Sequence, residues 1–509
     1  MEHTAGRRDA AGEVVQTPMA QPPSSEHDGH VEDAPSRAAV KRAMSWVGAG
    51  HVIGQAFWFG SLLFLAALLA PGAVGSVAVG LLLVTAATRV MDAGTRGSII
   101  VAAGLTRQQL MTALASNVGA ALVLSGLIVV LSGPMTDAFA QGTSPLVIAV
   151  LGLSVVCYAP AIVPLALLEK RFEFRRRAGV QAASTVTAGV VSILAGVLGA
   201  GVWALVIRQV LFQAMLAVLG WIAARSLLPE AERRPGAARW SRLKRRGAAG
   251  FMLFSLTDFI VFNADYLAVG HFTNTTQLGL YSLAFTIAFA PMTQFSAQIG
   301  SVLFPAAAAS DAQTIRRRTI AGVRMTCMVL LPIIPVGVIL APTVVPAVLG
   351  ERWAGMVTPL RILLVVGVAH AVVNVIGESL SGTGNIGFRA RVNLAWMVGM
   401  VVALVVLVNA DGIRGAALAH LILYVPVAVV YGFAGLRLLG GEPRRLGHAL
   451  RGVGMLVGLQ AAVTFATASV LLDAGLSRPL GDPLAVVLGL AVPAAVLLSS
   501  RTRAASTSS

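Results

Sequence analysis

The chain has 509 residues, 56% hydrophobic and only 12% charged, with a net charge of +16 and a mean hydropathy of +0.80. A soluble domain carries about 25% charged residues. Those values exclude a soluble globular enzyme, a disordered tail protein and, with two cysteines, a disulfide scaffold. They leave an all-α polytopic membrane protein, and they make the placement of 38 Lys and Arg the useful question.

Residues 1–40 are rich in Ala, Pro, Ser and acids, and the first 36 carry a net charge of −5. No basic segment leads into an apolar one, so no signal peptide is visible, and the segment reads as a disordered cytoplasmic tail. A bilayer crossing needs about 20 apolar residues. Spans are expected near 43–68, 76–102, 110–133, 145–168, 178–199, 201–225, 247–270, 278–304, 320–345, 356–380, 390–409, 412–436, 449–472 and 483–500, about fourteen helices. Pro160, Pro164, Pro291, Pro332, Pro335 and Pro426 fall inside them, as membrane helices tolerate. Cys157 and Cys327 sit in separate apolar stretches and read as small hydrophobes, not as a disulfide or metal site. The expected organisation is a six-helix lobe at 41–226, a basic linker at 227–246 and a second six-helix lobe at 247–438. Two further helices at 439–500 and a tail at 501–509 complete it.

Of the 38 cations, 33 fall in alternate connecting segments, three (Arg352, Arg414, Arg478) in the others, and two (Arg208, Arg361) in or beside spans. This asymmetry predicts cytoplasmic termini in a cell membrane. It also turns a basic charge balance from a nucleic-acid signal into a record of orientation, with anionic lipid as the partner of the loops. The cation-poor side carries only short loops, which disfavours a membrane glycosyltransferase or polymerase.

The two halves echo each other. Gly75 opens the second span and Gly279 the eighth; Gly199-Ala-Gly-Val-Trp-Ala-Leu and Gly412-Ile-Arg-Gly-Ala-Ala-Leu open the sixth and twelfth. Both halves begin on the same side, so they are parallel, pseudo-symmetric repeats about an axis along the membrane normal.

Ionisable groups inside spans cost several kcal/mol and face a cavity or a partner. Arg89, Asp92 and Arg96 share one helix face, as do His370, Asn374 and Glu378. Asp258 and Asp265 lie seven apart; Gln55, Arg208, Gln294, Gln298 and Arg361 complete the set. Plain structural readings stand beside each: an ion-pair ladder, locally capped aspartates, packed histidines, amides bridging helices. No HExxH, paired CxxC, GxSxG or Walker A motif is present, so no catalytic residue, metal or cofactor is expected.

Several segments carry a resemblance: Met91-Asp-Ala-Gly, Leu168-Glu-Lys-Arg-Phe-Glu-Phe-Arg-Arg, Asn263-Ala-Asp-Tyr-Leu-Ala-Val-Gly, Leu278-Gly-Leu-Tyr-Ser-Leu-Ala-Phe, Val302-Leu-Phe-Pro and Gly350-Glu-Arg-Trp-Ala. In that order and spacing the chain resembles the Wzx-like polysaccharide transporters of the multidrug/oligosaccharidyl-lipid/polysaccharide flippase superfamily. The resemblance implies two lobes opening alternately to each side and moving a lipid-linked oligosaccharide to the outer leaflet. On that reading Arg89, Arg96, Arg208 and Arg361 are candidates for phosphate contact. Gln55, Gln294, Gln298 and Asn374 are candidates for sugar hydrogen bonds, and Asp92, Asp258, Asp265 and Glu378 for ion coupling. Glycan polymerases or glycosyltransferases are the implied protein partners. A cation-coupled multidrug exporter and a peptidoglycan-precursor flippase are the alternatives.

Overall fold

The computed structural model describes residues 54–101, 105–228, 257–440, 443–473 and 481–490. The tail, the basic linker and parts of the first, seventh and fourteenth expected spans lie outside the described residues. Every described element is helical. Hydrocarbon offers no hydrogen-bonding partner to backbone groups, so long apolar runs must satisfy those groups internally.

The helices of the first half are α1 (Gly54–Leu68), α2 (Pro71–Val101), α3 (Arg107–Phe139), α4 (Pro145–Lys170), α5 (Phe174–Val197) and α6 (Trp203–Ala224). Those of the second half are α7 (Ala264–Phe272), α8 (Thr275–Ala309), α9 (Ala312–Leu330), α10 (Ile333–Leu349), α11 (Val357–Gly382) and α12 (Ile386–Val430). Then come α13 (Pro443–Asp473) and α14 (Gly481–Leu490). Among the described residues, ten stretches are long and apolar enough to cross a membrane. One of them, Ala312–Leu349, joins α9 and α10 across Leu331 and Pro332.

Another, beginning with α12, folds back on itself. The 45 residues of α12 would extend about 67 Å at ~1.5 Å per residue, twice the ~30 Å hydrocarbon core. The helix breaks at Asp411 and Gly412, where Gly412 adopts φ 52°, a left-handed conformation that suits glycine. The return is tight: a Cβ on Gly415 would stand 1.8 Å from the Leu407 carbonyl oxygen.

Local chemistry sets the helix ends. Thr106 and Gln109 form a reciprocal capping box on α3. The Asn274 side chain accepts from the Gln277 amide at the start of α8. Asp311 accepts from the Gln313 and Thr314 amides of α9, and its hydrogen bonds to Thr314 hold its carboxyl below the usual carboxylate range.

In the first half α4 packs on α2, α3 and α6; in the second α8 packs most extensively on α11. The two halves meet where α2 lies against α8. A Cβ on Gly75 would stand 1.9 Å from the Thr275 carbonyl oxygen, and one on Gly279 1.8 Å from that of Pro71. Only glycine permits this backbone-to-backbone approach. The same end of the bundle brings His271 Nδ1 to 3.1 Å from the Ala138 carbonyl oxygen and Trp353 Nε1 to 3.0 Å from that of Ala66. This is the cation-poor end, and α2, α8 and their neighbours seal it.

Candidate functional site

Behind that seal lies a cavity of about 290 Å³ between the halves. One wall comes from α1, α2, α5 and α6, the other from residues 263–266 and α8. Its polar lining includes Arg208, Gln209, Asn263, Tyr266 and Thr286, with the Trp58 ring beside them. Among the described residues, Arg208 is the one charged residue lining it.

Arg208 sits in the second turn of α6 and reaches across to α1. Its Nη2 donates to the Trp58 carbonyl oxygen at 2.8 Å, and its guanidinium carbon lies 5.2 Å from the Trp58 ring centroid. Both partners are neutral. A carbonyl and a π-face attract a guanidinium but do not cancel its charge, so a formal cation faces the cavity without a counter-ion there. Such a chamber can take an anion beside hydrogen-bonding hydroxyls.

The other candidate residues of the first half have partners elsewhere. Asp92 accepts from the Tyr158 hydroxyl at 2.8 and 3.0 Å. Arg96 forms a two-bond ion pair with Glu169, whose other neighbour Arg177 lies 2.5 Å away. Asp92, Arg96, Glu169 and Arg177 lie within electrostatic reach of one another, two charges of each sign drawn from α2, α4 and α5. Arg89 is exposed on α2 and lies in the field of Asp258. Gln55 is half-buried on α1, one turn before Trp58, and is not part of the cavity lining.

In the second half the candidates divide into two groups. Asp258, just before α7, faces Asn393 and Arg389 of α12. Arg389 in turn pairs with Glu378 at 3.3 Å and donates to the Ser381 hydroxyl at 2.6 Å. Asn374 donates to the Ser296 hydroxyl at 3.2 Å, joining α11 to α8. Asp265 is fully buried. It accepts from the Tyr281 hydroxyl at 2.7 Å and the Tyr266 amide at 2.9 Å, and its Oδ2 lies 3.1 Å from His420 Nε2. This knot stands one residue behind the cavity wall, because Tyr266 itself lines the cavity. Arg361 donates to the Val338 carbonyl oxygen at 2.7 Å, bracing α11 against α10. Gln294 and Gln298 lie on exposed parts of α8, outside the cavity lining.

The structure therefore brings one predicted phosphate contact, Arg208, into the cavity. It gathers Asp92 with Arg96, and Asp258 with Glu378, into separate charged clusters. Sequence reasoning missed Trp58, Gln209 and His420. Trp58 lies three residues after Gln55, close enough for the polar face of α1 to have flagged it. Nothing in the local pattern pairs His420 with Asp265, because 155 residues separate them.

The comparisons bear on the fold and on family. The lipid II flippase MurJ, in an inward-closed conformation, superposes over 89% of this chain and 98% of its own with a TM-score of 0.68 at 11% identity. An inward-facing multidrug resistance MATE family transporter superposes over 78% of this chain and 95% of its own, with a TM-score of 0.56 at 16% identity. At such identities the likeness shows the fold. The lipopolysaccharide biosynthesis protein WzxC of Escherichia coli K12 is 25% identical over 69% of this chain and 71% of its own length. The teichuronic acid biosynthesis protein TuaB of Bacillus subtilis 168 is 26% identical over 61% of this chain and 64% of its own. Residues 64–358, more than half of the sequence, match the family described as polysaccharide biosynthesis protein, and the chain belongs to that family.

Proposed function

We propose that this protein carries a polyprenyl-pyrophosphate-linked oligosaccharide from the inner to the outer leaflet of the cell membrane by alternating access, as a step in cell-surface polysaccharide biosynthesis. The observation that carries the reading is Arg208, the one charged residue lining a cavity between the halves. A pyrophosphate and a hydroxyl-rich glycan cannot cross hydrocarbon unaided. Arg208 offers charge-assisted hydrogen bonds to phosphate, and Gln209 and Asn263 offer amides to sugar hydroxyls, while the prenyl chain stays in lipid. The matched relatives are named for lipopolysaccharide and teichuronic acid biosynthesis, and a third, ExoT of Rhizobium meliloti, for succinoglycan transport.

In this reading the cation-rich end and both termini face the cytoplasm, the six-helix lobes rock about the cavity, and the protein performs no chemistry on its cargo. Asp92, Asp258, Asp265 and Glu378 are the acids available to couple an ion gradient. A glycan polymerase or glycosyltransferase that makes or consumes the cargo is the expected partner. A drug exporter for organic cations favours an acidic cavity, and no acid lines this one among the described residues.

The test is a flipping assay in proteoliposomes with a fluorescent prenyl-pyrophosphate-linked oligosaccharide. Protein-dependent exposure of the label is expected. Efflux of cationic dye with no movement of the glycolipid would transfer the reading to a drug exporter.

A further inference from the structure

Helix α1 is held at two separate places by residues outside it. In mid-helix, Arg208 of α6 grips Trp58 through its carbonyl oxygen and its ring. At the far end, the last carbonyls of a helix lack intrahelical donors. Leu65 finds one within the chain, from the Leu69 amide at 2.9 Å. Ala66 and Ala67 find theirs in the other half of the molecule. The fully buried Trp353 indole N–H donates to the Ala66 oxygen at 3.0 Å, and the Arg352 guanidinium donates to the Ala67 oxygen. Both donors come from the short six-residue helix Glu351–Met356, which follows α10. A cation at that position also complements the negative end of the helix dipole. The C-terminus of α1 is thus capped by the second half, at the sealed cation-poor end.

We propose that α1 is a lever linking the cavity arginine to the seal, with Trp58 and Trp353 as the positioning residues at its two bearings. The inference rests on the reading of the cavity as the cargo site. A phosphate entering the cavity competes with Trp58 for the Arg208 guanidinium. It wins because a phosphate offers two parallel N–H···O bonds and an opposite charge, where Trp58 offers one neutral carbonyl oxygen and a ring face. Arg208 then turns to the cargo and α1 is no longer tied to α6. Among the described residues, the ties that remain outside α1's own packing are the two caps from Trp353 and Arg352. Tilting α1 breaks them and loosens the contact between the halves. Linkage requires the converse: breaking the caps must favour phosphate binding by the same factor.

The experiment uses the full chain with Cys157 and Cys327 replaced by Ala. Spin labels on Ser144→Cys and Glu351→Cys flank the seal, and geranyl pyrophosphate is the probe. Pulsed electron resonance distances should show a short separation without probe and an added longer population with it. Trp353→Phe keeps the bulk and deletes one hydrogen bond. It should raise the longer population about three- to tenfold without probe and tighten probe binding by the same factor. Trp58→Leu, which deletes the ring and keeps the backbone carbonyl that Arg208 also holds, should bind the probe with a smaller shift. Equal shifts in the parent and Trp58→Leu, or no change in Trp353→Phe, would overturn the lever. Probe binding with an unmoved distance overturns the lever and leaves the cargo site standing. No binding at all by the parent removes the cargo site and the lever together.

Discussion

Arg96 and Arg208 are arginines on membrane-length helices of the same half, and the structure treats them in opposite ways. Arg96 is one of four charges, paired with Glu169 and balanced by Arg177 and Asp92, so the group is neutral as a whole. Arg208 has a carbonyl and an indole ring for company and a cavity in front of it. A charge that the fold has neutralised holds helices together; one beside a cavity with no counter-ion among the described residues is the kind the proposed cargo would meet. Residue type is the same for both, and the partner decides the role.

The contrast can be broken most sharply at Arg208 itself. Arg208→Ala should weaken binding of geranyl pyrophosphate about 10- to 100-fold, the range for losing a charge-assisted contact. Its thermal midpoint should move little, because a lone buried charge is removed along with its bonds. Titration calorimetry and a thermal scan on the same preparation check both halves of that statement.

Gly279→Ala asks whether the cavity is kept closed by backbone contact. The added methyl would meet the Pro71 carbonyl oxygen at 1.8 Å, so α2 and α8 must part. Overpacking of this kind costs about 1–3 kcal/mol. A thiol placed at Thr185, in the cavity, should become labelled by a membrane-impermeant reagent from the cation-poor side in Gly279→Ala and stay protected in the parent.

Glu169→Gln tests the neutral cluster. It leaves Arg96 and Arg177 facing each other with less compensation. Because their side chains are 39% and 37% exposed, the loss is about 1–3 kcal/mol, less than for a fully buried pair. Denaturation should show that loss, and adding Arg96→Gln should restore part of it, while probe binding per folded molecule stays within about twofold.

The smallest effect belongs to Asp311. Its carboxyl is held below its ordinary value of 3.8 by capping α9, so its contribution is present above that pH and fades as the pH falls through its lowered value. Hydrogen exchange at the Gln313 and Thr314 amides should quicken in Asp311→Asn at neutral pH, and in the parent only under acid.

The fold class was legible because lipid leaves apolar runs no choice but helix, and composition alone reports lipid. The turn at Gly412 and the pairing of Gly75 with Gly279 were visible as repeated glycines, though the sequence offered no sign that the latter two touch. The site was legible only where charge stood out against orientation, which singled out Arg208 and Arg361. The structure then ties Arg361 to the Val338 backbone and leaves Arg208 in the cavity. Helical spacing placed Arg89, Asp92 and Arg96 on one face, but the partners of Asp92 and Arg96 come from residues 66 and 73 positions away. In helices apolar on every side, periodicity does not say which face meets which neighbour, so Gln209 carried no signal of the wall it builds, and Trp58 only its place on the face of Gln55.

The most direct measurement compares Arg208→Ala with Glu169→Gln in one flipping assay, at matched insertion into proteoliposomes and with the same labelled glycolipid. The account predicts that Arg208→Ala loses at least tenfold in rate while Glu169→Gln keeps the parent rate per folded molecule. Full activity in Arg208→Ala, with or without loss in Glu169→Gln, would contradict it.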